Sequence, residues 1–312
     1  MINKNSWDNI KPNRMKMVYS KDKVNIFLFR NLDASLGILF ELEDKIYEEN
    51  QVKFVEFNYR EKSNRIDLTL NNPNYKDIFS LVCSDIIINI DFKRDINNEI
   101  KKRLNKWKEL LKNKSNQNLS IEVQMGIFSE LKFLLEVLVP KLGIEESILS
   151  WNGPEKDKQD FITNKRAIEI KSHKTTKGKV AIINSKDQLY SEVELYLVNY
   201  SLSITQEGDS IKDLYDKIIN LILEEHIEQI FLLKLLNCNY FPEDYKGILY
   251  KFSEDSINYY LVDEIFPKID RKRLPSQIIN LNYTIDLTEI NTISENEFLN
   301  NWEVQYEIGK LS

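Results

Sequence analysis

Asp160, Glu169 and Lys171 are spaced so that a β-hairpin would gather them at one sheet edge. They lie in WNGPEKDKQDFITNKRAIEIKSHKTTKGKVAIINSKDQ, residues 151–188. Gln159 to Thr163 and Ala167 to Lys171 each read as a strand, with Asn164 and Lys165 as the polar turn between them. Side chains alternate across a strand, so Ile168 and Ile170 go to one face and Ala167, Glu169 and Lys171 to the other. Asp160, at the start of the preceding strand, can reach the same end. Two carboxylates and an ammonium at one edge suit phosphodiester hydrolysis. Hard oxygen ligands hold Mg2+, or Mn2+ in its place, against a phosphate. The metal polarises the phosphoryl oxygens and acidifies a water, while the lysine steers that water or offsets transition-state charge.

An acid-x-lysine triplet alone is a weak signal. Glu99/Lys101 and Glu130/Lys132 fall on expected helices, where residues two apart face different directions. Asp244/Lys246 and Asp270/Lys272 lie beside prolines in expected loops. Asp91/Lys93, with Asp85 upstream, is the serious rival, but it has no preceding acid-bearing helix. The plain alternative for Asp160, Glu169 and Lys171 is a surface hairpin with cross-strand ion pairs.

The element that must position this edge is a long helix from the N-cap Ser120 to about Leu142, stopped by Gly143. Its apolar stripe holds Ile121, Met125, Phe128, Leu131, Leu135, Leu138 and Leu142. Glu130 emerges from a largely apolar surface, since its helical neighbours include Gly126, Ile127, Phe133 and Leu134. It either faces Asp160 and Glu169 as a further metal or water ligand or pairs with a basic residue across a helix contact. Strands are expected at Ser147 to Trp151, Lys179 to Asn184 and Glu192 to Ile204. Ser185 to Gln188 reads as a capping box opening a short helix.

The basic residues around this site are the candidate DNA contacts: Lys158, Lys165, Arg166, Lys174, Lys177 and Lys179, in a stretch where Lys and Arg outnumber acids. A solvated charge run is the alternative. His173 either touches a phosphate or is a solvated loop histidine, and Gln188 either caps its helix or touches DNA or a metal-bound water.

Upstream, residues 1–20 read as an irregular lead-in. VNIFLFRN, SLGILFELED, VKFVEFNYRE and NRIDLTLNN form an antiparallel meander. Tyr75 to Ile90 is open between helix and strand, Asp95 to Lys112 is a helix, and KNKSNQNL, 112–119, is the linker. Downstream, a helical region runs from Ser210 to Leu236 and includes His226, read as a helix-surface or core histidine. GILYKF and INYYLVDE form a hairpin around Ser253 to Ser256, and IINLNYTIDLTEI supplies a last strand. The expected organisation is an N-terminal β-rich domain at 1–115, a core at 116–205 and a C-terminal helical and β extension at 206–312.

At 312 residues, 42% hydrophobic and 29% charged, the chain reads as a cytoplasmic, globular α/β protein. No apolar run approaches the ~18 residues needed to cross a bilayer. Cys83 and Cys238 read as buried free thiols, unable to form a zinc site. No Walker-type glycine loop or methyltransferase glycine motif occurs.

The order of elements, with GIFSELKFLLEVL at 126–138, AIEIKSH at 167–173, NSKDQL at 184–189 and the late YLVDEIFPKI and LNYTIDL, resembles the bacterial PD-(D/E)XK motif proteins. The resemblance implies an α/β restriction-endonuclease-like core and a DNA endonuclease. Asp160, Glu169 and Glu130 would be the Mg2+-side acids and Lys171 the assistant to water. It also implies partner proteins from restriction or phage-defence gene clusters, with a homodimer among the open oligomeric states. Gln159 stands where the family name has proline, which leaves Asp157 as a rival for Asp160. The other reading is a nuclease fold without turnover, a DNA-binding or assembly subunit. A single-strand or RNA-binding module is disfavoured because the aromatics fall at core spacing.

Overall fold

The alternating runs VNIFLFR and RIDLTL form strands, with Val24, Ile26, Leu28, Ile66 and Leu68 buried and the residues between them turned the other way. The computed structural model describes residues 2–300 except 22, 44–49, 54–56, 63, 91–93, 115–117, 156–157, 243–244, 271–272 and 276. The chain divides into two units, Met1–Asn116 and Gln117–Ser312. The division falls inside KNKSNQNL, and residues 206–312 belong to the second unit together with the core.

The first unit holds β1 (Arg14–Lys21), β2 (Val24–Arg30), β3 (Leu36–Leu42), β4 (Asn50–Lys53), β5 (Phe57–Lys62) and β6 (Arg65–Leu70) in one sheet. Its order is β1-β2-β3-β6-β5-β4, with every pairing antiparallel. This is not a simple meander: VKFVEFNYRE is split between two strands, and the chain crosses to the far edge before returning through β5 and β6. The lead-in also differs from expectation, because it contains β1. Residues 11–18 are all exposed, so this edge strand has no burial alternation to betray it. Trp7 is buried and donates its Nε1–H to the Gly37 carbonyl at 2.9 Å. Gly37 has no room for a Cβ, which would sit 2.5 Å from the Leu68 carbonyl oxygen.

The ambiguous Tyr75 to Ile90 run is helical, as α1 (Lys76–Asn89), and α2 (Ile96–Lys114) follows. Buried Asp85 accepts from Trp107 Nε1 and Asn89 Nδ2, both at 2.8 Å, and lies 3.5 Å from Arg103. That acid is therefore engaged in joining two helices. Its downstream partners in the rival triplet, Asp91 and Lys93, lie outside the described residues.

The second unit opens with α3 (Ile121–Phe133), capped by the Ser120 side chain accepting from the Val123 N–H. A π-helical turn, Leu134–Leu138, leads into α4 (Val139–Leu149). Leu134 is buried there and Leu135 half-buried against the same core, so the buried face is wider than the helical stripe predicts. Gly143, at φ 78°, breaks the helix as expected, but another helical segment follows it. The strand expected at Ser147 to Trp151 is the end of that segment, and only Trp151 bridges to Phe161.

Then come β7 (Phe161–Ile162), β8 (Arg166–Lys174), β9 (Val180–Ile183), β10 (Glu194–Asp209), α5 (Ile211–Ile219), α6 (Glu225–Asn237), β11 (Phe252–Leu261), β12 (Tyr283–Asp286) and α7 (Glu295–Leu299). The main sheet runs β11-β10-β8-β7, with β8 and β10 parallel and the outer pairs antiparallel. The expected hairpin at Ser253 to Ser256 is absent. These residues lie inside one continuous β11, which pairs with β10 over most of its length and gains more ladder bonds than a local turn would. Ser185 to Gln188 forms a turn: Gln188 Oε1 does accept the Asn184 N–H at 2.7 Å, but no helix follows.

Ile168, Ile170, Tyr196 and Val198 share a core with Phe128, Leu131 and Leu134, while Ala167, Leu195, Leu197 and Tyr260 pack with Ala181, Ile183 and Ile285. Both faces of the central strands are thus covered near Glu169. His226 lies on the helix surface, 3.5 Å from Glu145. Among the described residues no helix is long and apolar enough to cross a membrane.

Candidate active site

The alternation along β8 places Glu169 and Lys171 on one face. The Glu169 side chain is 1% exposed, with Lys171 Nζ 2.7 Å from its Oε1. Among the described residues Oε1 has Lys171 as its partner, and Oε2 accepts no hydrogen bond. Asp160, just before β7, accepts the Ile170 N–H on Oδ2 at 2.6 Å, while its carbonyl accepts the N–H groups of Asn152 and Gly153 at 2.6 and 3.0 Å. It is tied both to the strand carrying Glu169 and Lys171 and to the Trp151–Gly153 turn. Glu130, from α3, accepts the Trp151 Nε1–H at 2.7 Å. A Cβ added to Gly153 would lie 2.5 Å from Glu130 Oε2 and 2.8 Å from Asp160 Oδ1. The two carboxylates therefore converge on a space that only glycine leaves open. Asp157, the rival for Asp160, lies outside the described residues.

Three carboxylates crowd one ammonium, and their acidities respond. Burial, then the charge of Asp160, pushes Glu169 up to about 8 against the pull of Lys171. Burial raises Asp160 to about 6, opposed by Lys171 and the Ile170 N–H. Glu130 is driven well above the ordinary carboxylate range by burial and then by Asp160. For Lys171, burial works against the charged form, but Glu169, Asp160 and Glu130 outweigh it and raise its pKa. Lys171 is consequently a cation at neutral pH, able to donate hydrogen bonds and unable to act as a base.

This crowding makes stability depend on pH. The folded chain holds the Glu169 proton more tightly than the unfolded chain, whose ordinary value is 4.5. Its contribution is complete below that value and is lost as pH rises through about 8. Melting temperature in EDTA should therefore fall between about pH 5 and pH 9, and fall less in Glu169→Gln. Equal slopes in the two proteins would mean that Glu169 is not the crowded acid described above.

The donors present suit a divalent cation. They are hard carboxylate oxygens, among them the buried Glu169 Oε2, which has no hydrogen-bond partner among the described residues, in a site short of positive charge. Among the described residues no three His, Cys, Asp or Glu side chains form a ready-made cage. The set is an open one, which suits an ion that shares its coordination with water and phosphate oxygens.

Two supporting residues, Lys234 and Gly153, escape a reading of the sequence. Lys234, on α6, is buried and donates to the Trp151 carbonyl, with Glu155 at 3.6 Å, so it fixes the turn whose indole holds Glu130. The signal was available: IFLLKLLN puts a lysine in an apolar helical run, the same anomaly that marks Glu130. Gly153 carries no such mark, and Cys238, expected as a buried free thiol, is free and half-buried beside the site. Burial, then Glu130 and Asp160, raises the Cys238 thiol well above its ordinary value, so it is an inert neighbour of the acids.

Of the DNA candidates, Lys158, Lys165, Lys177 and Lys179 are exposed, Lys174 is half-buried and 3.8 Å from Glu122, and Gln188 is half-buried. Two candidates are corrected. His173 is not a loop residue: it is buried on β8, with Nδ1 3.3 Å from Asn199 Oδ1, because β8 runs three residues past Lys171. Arg166 is buried over the Tyr196 ring and donates to the carbonyls of Phe298 and Asn300 at 2.6 and 3.0 Å. It anchors α7 and has no face left for DNA. Arg166→Ala should cost about 2–4 kcal/mol in urea denaturation, since it strands one buried and one partly buried carbonyl and a stacked ring. A loss under about 0.5 kcal/mol would contradict that anchoring role.

A helix bearing an acid, packed on a mixed sheet whose neighbouring strands deliver an aspartate and a Glu-x-Lys, is compatible with a PD-(D/E)XK nuclease-like protein. The family comparison agrees. The chain belongs to the family described as "Putative PD-(D/E)XK family member (DUF4420)", whose model matches residues 3–288. No curated protein and no solved structure matches the chain. PD-(D/E)XK nucleases generally use divalent metal ions.

Proposed function

We propose that this protein is a Mg2+-dependent DNA endonuclease of a bacterial restriction or phage-defence system. The observation that carries the reading is the buried Glu169 carboxylate paired with the Lys171 ammonium, with Asp160 and Glu130 turned toward the same small space. A purely structural site gives no reason to crowd three acids at this cost in acidity.

Asp160 and Glu169 would hold the ion, with Glu130 closing the third side. Bound Mg2+ supplies Lewis acidity toward the phosphate and neutralises the carboxylate excess. Lys171, fixed as a cation, offsets the charge that grows on the phosphoryl oxygens as water attacks. Glu169 keeps Lys171 at the site through its ion contact. The Ile170 N–H holds one Asp160 oxygen and leaves the other directed toward Gly153. Trp151 holds Glu130 from behind through its indole N–H, and Lys234 holds Trp151. The exposed lysines 158, 165, 177 and 179 would meet the DNA backbone.

The reading is tested by incubating the full chain with supercoiled plasmid DNA in Mg2+, in Mn2+ and in EDTA. Cutting in either metal and none in EDTA supports it. No cutting of plasmid or phage DNA, together with no metal binding by calorimetry, would leave the silent-subunit reading in its place.

A further inference from the structure

Charge is divided unevenly along the chain. Of 43 Lys and Arg and 49 Asp and Glu, the first unit holds 22 and 17 and the second 21 and 32, so the first carries +5 and the second −11 of the net −6. A polyanion is disfavoured at long range by the unit that bears the acids and favoured by the other. Within the first unit two stretches carry the excess, residues 101–116 with seven Lys and Arg against one acid and the β1–β2 hairpin. Residues 11–30 contain Lys11, Arg14, Lys16, Lys21, Lys23 and Arg30 against the single acid Asp22.

Among the described residues β1 pairs on one side alone, as the edge of the sheet, and every residue from 11 to 18 is exposed. The register sets Arg14 opposite Arg30, Met15 opposite Phe29, Lys16 opposite Leu28 and Met17 opposite Phe27. Two like charges opposite each other destabilise a ladder unless an anion joins them. Arg30 Nε is buried with no hydrogen-bond partner among the described residues, so this guanidinium is not fully compensated inside the unit. On the other face Met15 and Met17 are 56% and 50% exposed. Phe27 and Phe29 beside them are half-buried, although VNIFLFRN reads in sequence as core spacing.

We propose that the open edge of β1 is a docking surface for duplex DNA. Phosphates meet Arg14, Lys16 and Arg30 from one face of the strand, and the sugar edge lies against Met15 and Met17 from the other. Charge complementarity selects this occupant. A second copy paired β1 to β1 would bring Arg14 and Lys16 against a like-charged edge. The proposal rests on DNA being the substrate, and adds that the catalytic unit does not supply most of the affinity.

The test is fluorescence anisotropy of the full-length chain with a labelled duplex in EDTA, where nothing is cut, across a NaCl titration. The double variant Arg14→Glu, Lys16→Glu should bind at least about 10-fold more weakly at about 0.1 M salt, with the salt slope shallower by about 2. The milder Arg14→Gln, Lys16→Gln pair should show the same direction, with far-UV circular dichroism confirming the fold of each. Unchanged affinity in either folded variant overturns the proposal. So does tighter binding to phosphatidylserine vesicles than to the duplex, or a dimer shift in the variants without a change in DNA affinity. The nuclease reading is judged separately. Lys171→Ala that binds DNA normally but does not cut preserves it whatever happens at β1, and a wild-type chain that neither binds nor cuts DNA removes both.

Discussion

Lys171→Ala should slow Mg2+-dependent plasmid cleavage by about 10²–10³-fold, the usual cost of removing one preorganised charge from a developing phosphoryl transition state. The ammonium is 13% exposed, lies 2.7 Å from Glu169 Oε1, and is held in its charged form by three carboxylates. No other Lys or Arg side chain is recorded in contact with Glu169 among the described residues. DNA affinity should be nearly unchanged, so the loss falls in kcat and not in KM. Removing the cation also leaves Glu169 facing Asp160 and Glu130 with less compensation, so the variant should melt lower at alkaline pH than at acid pH. Plasmid cutting at the wild-type rate by a folded Lys171→Ala protein would end the assignment of catalysis to this site.

The second large effect is at Asp160. Asp160→Ala should abolish measurable cleavage, because it removes a charge from the metal site and the acceptor of the Ile170 N–H at once. Asp160→Asn separates the two roles. Its amide oxygen can still accept from Ile170, so the fold should persist while the charge is gone. In the wild type, Mg2+ at about a hundred times its dissociation constant should stabilise the chain by about 2.7 kcal/mol, read as a rise in melting temperature. Both Asp160 variants should lose most of that rise, and Asp157→Ala should keep it along with activity. If Asp157→Ala is the inactive one and Asp160→Asn cuts normally, the ion is held by the other aspartate and the geometry at Gly153 has been misassigned.

Much of this site is legible in one dimension because its chemistry is carried by a period-two pattern. AIEIK can sit half in a core only with Ile168 and Ile170 inward, which forces Glu169 and Lys171 onto one face. Glu130 is legible for a related reason: an acid on an apolar helix surface needs a partner. His173 and Arg166 are misread because burial depends on what covers a strand from outside. α7 arrives from more than a hundred residues downstream to cover Arg166. The edge strand β1 is missed for the opposite reason, since its residues 14–18 are all exposed and show no alternation of burial.

By itself, then, the amino-acid order decides the local faces: which side chains on β8 share a side, where Ser120 caps and where Gly143 breaks the helix. These follow from backbone geometry over a few residues. The three-dimensional arrangement alone decides that Glu130 and Asp160 meet over Gly153, that Lys234 and Trp151 support them, and that β11 lies along β10 and not in a hairpin of its own. Those are contacts between distant parts of the chain, chosen by packing and ladder pairing of the whole unit, and no short-range periodicity encodes them.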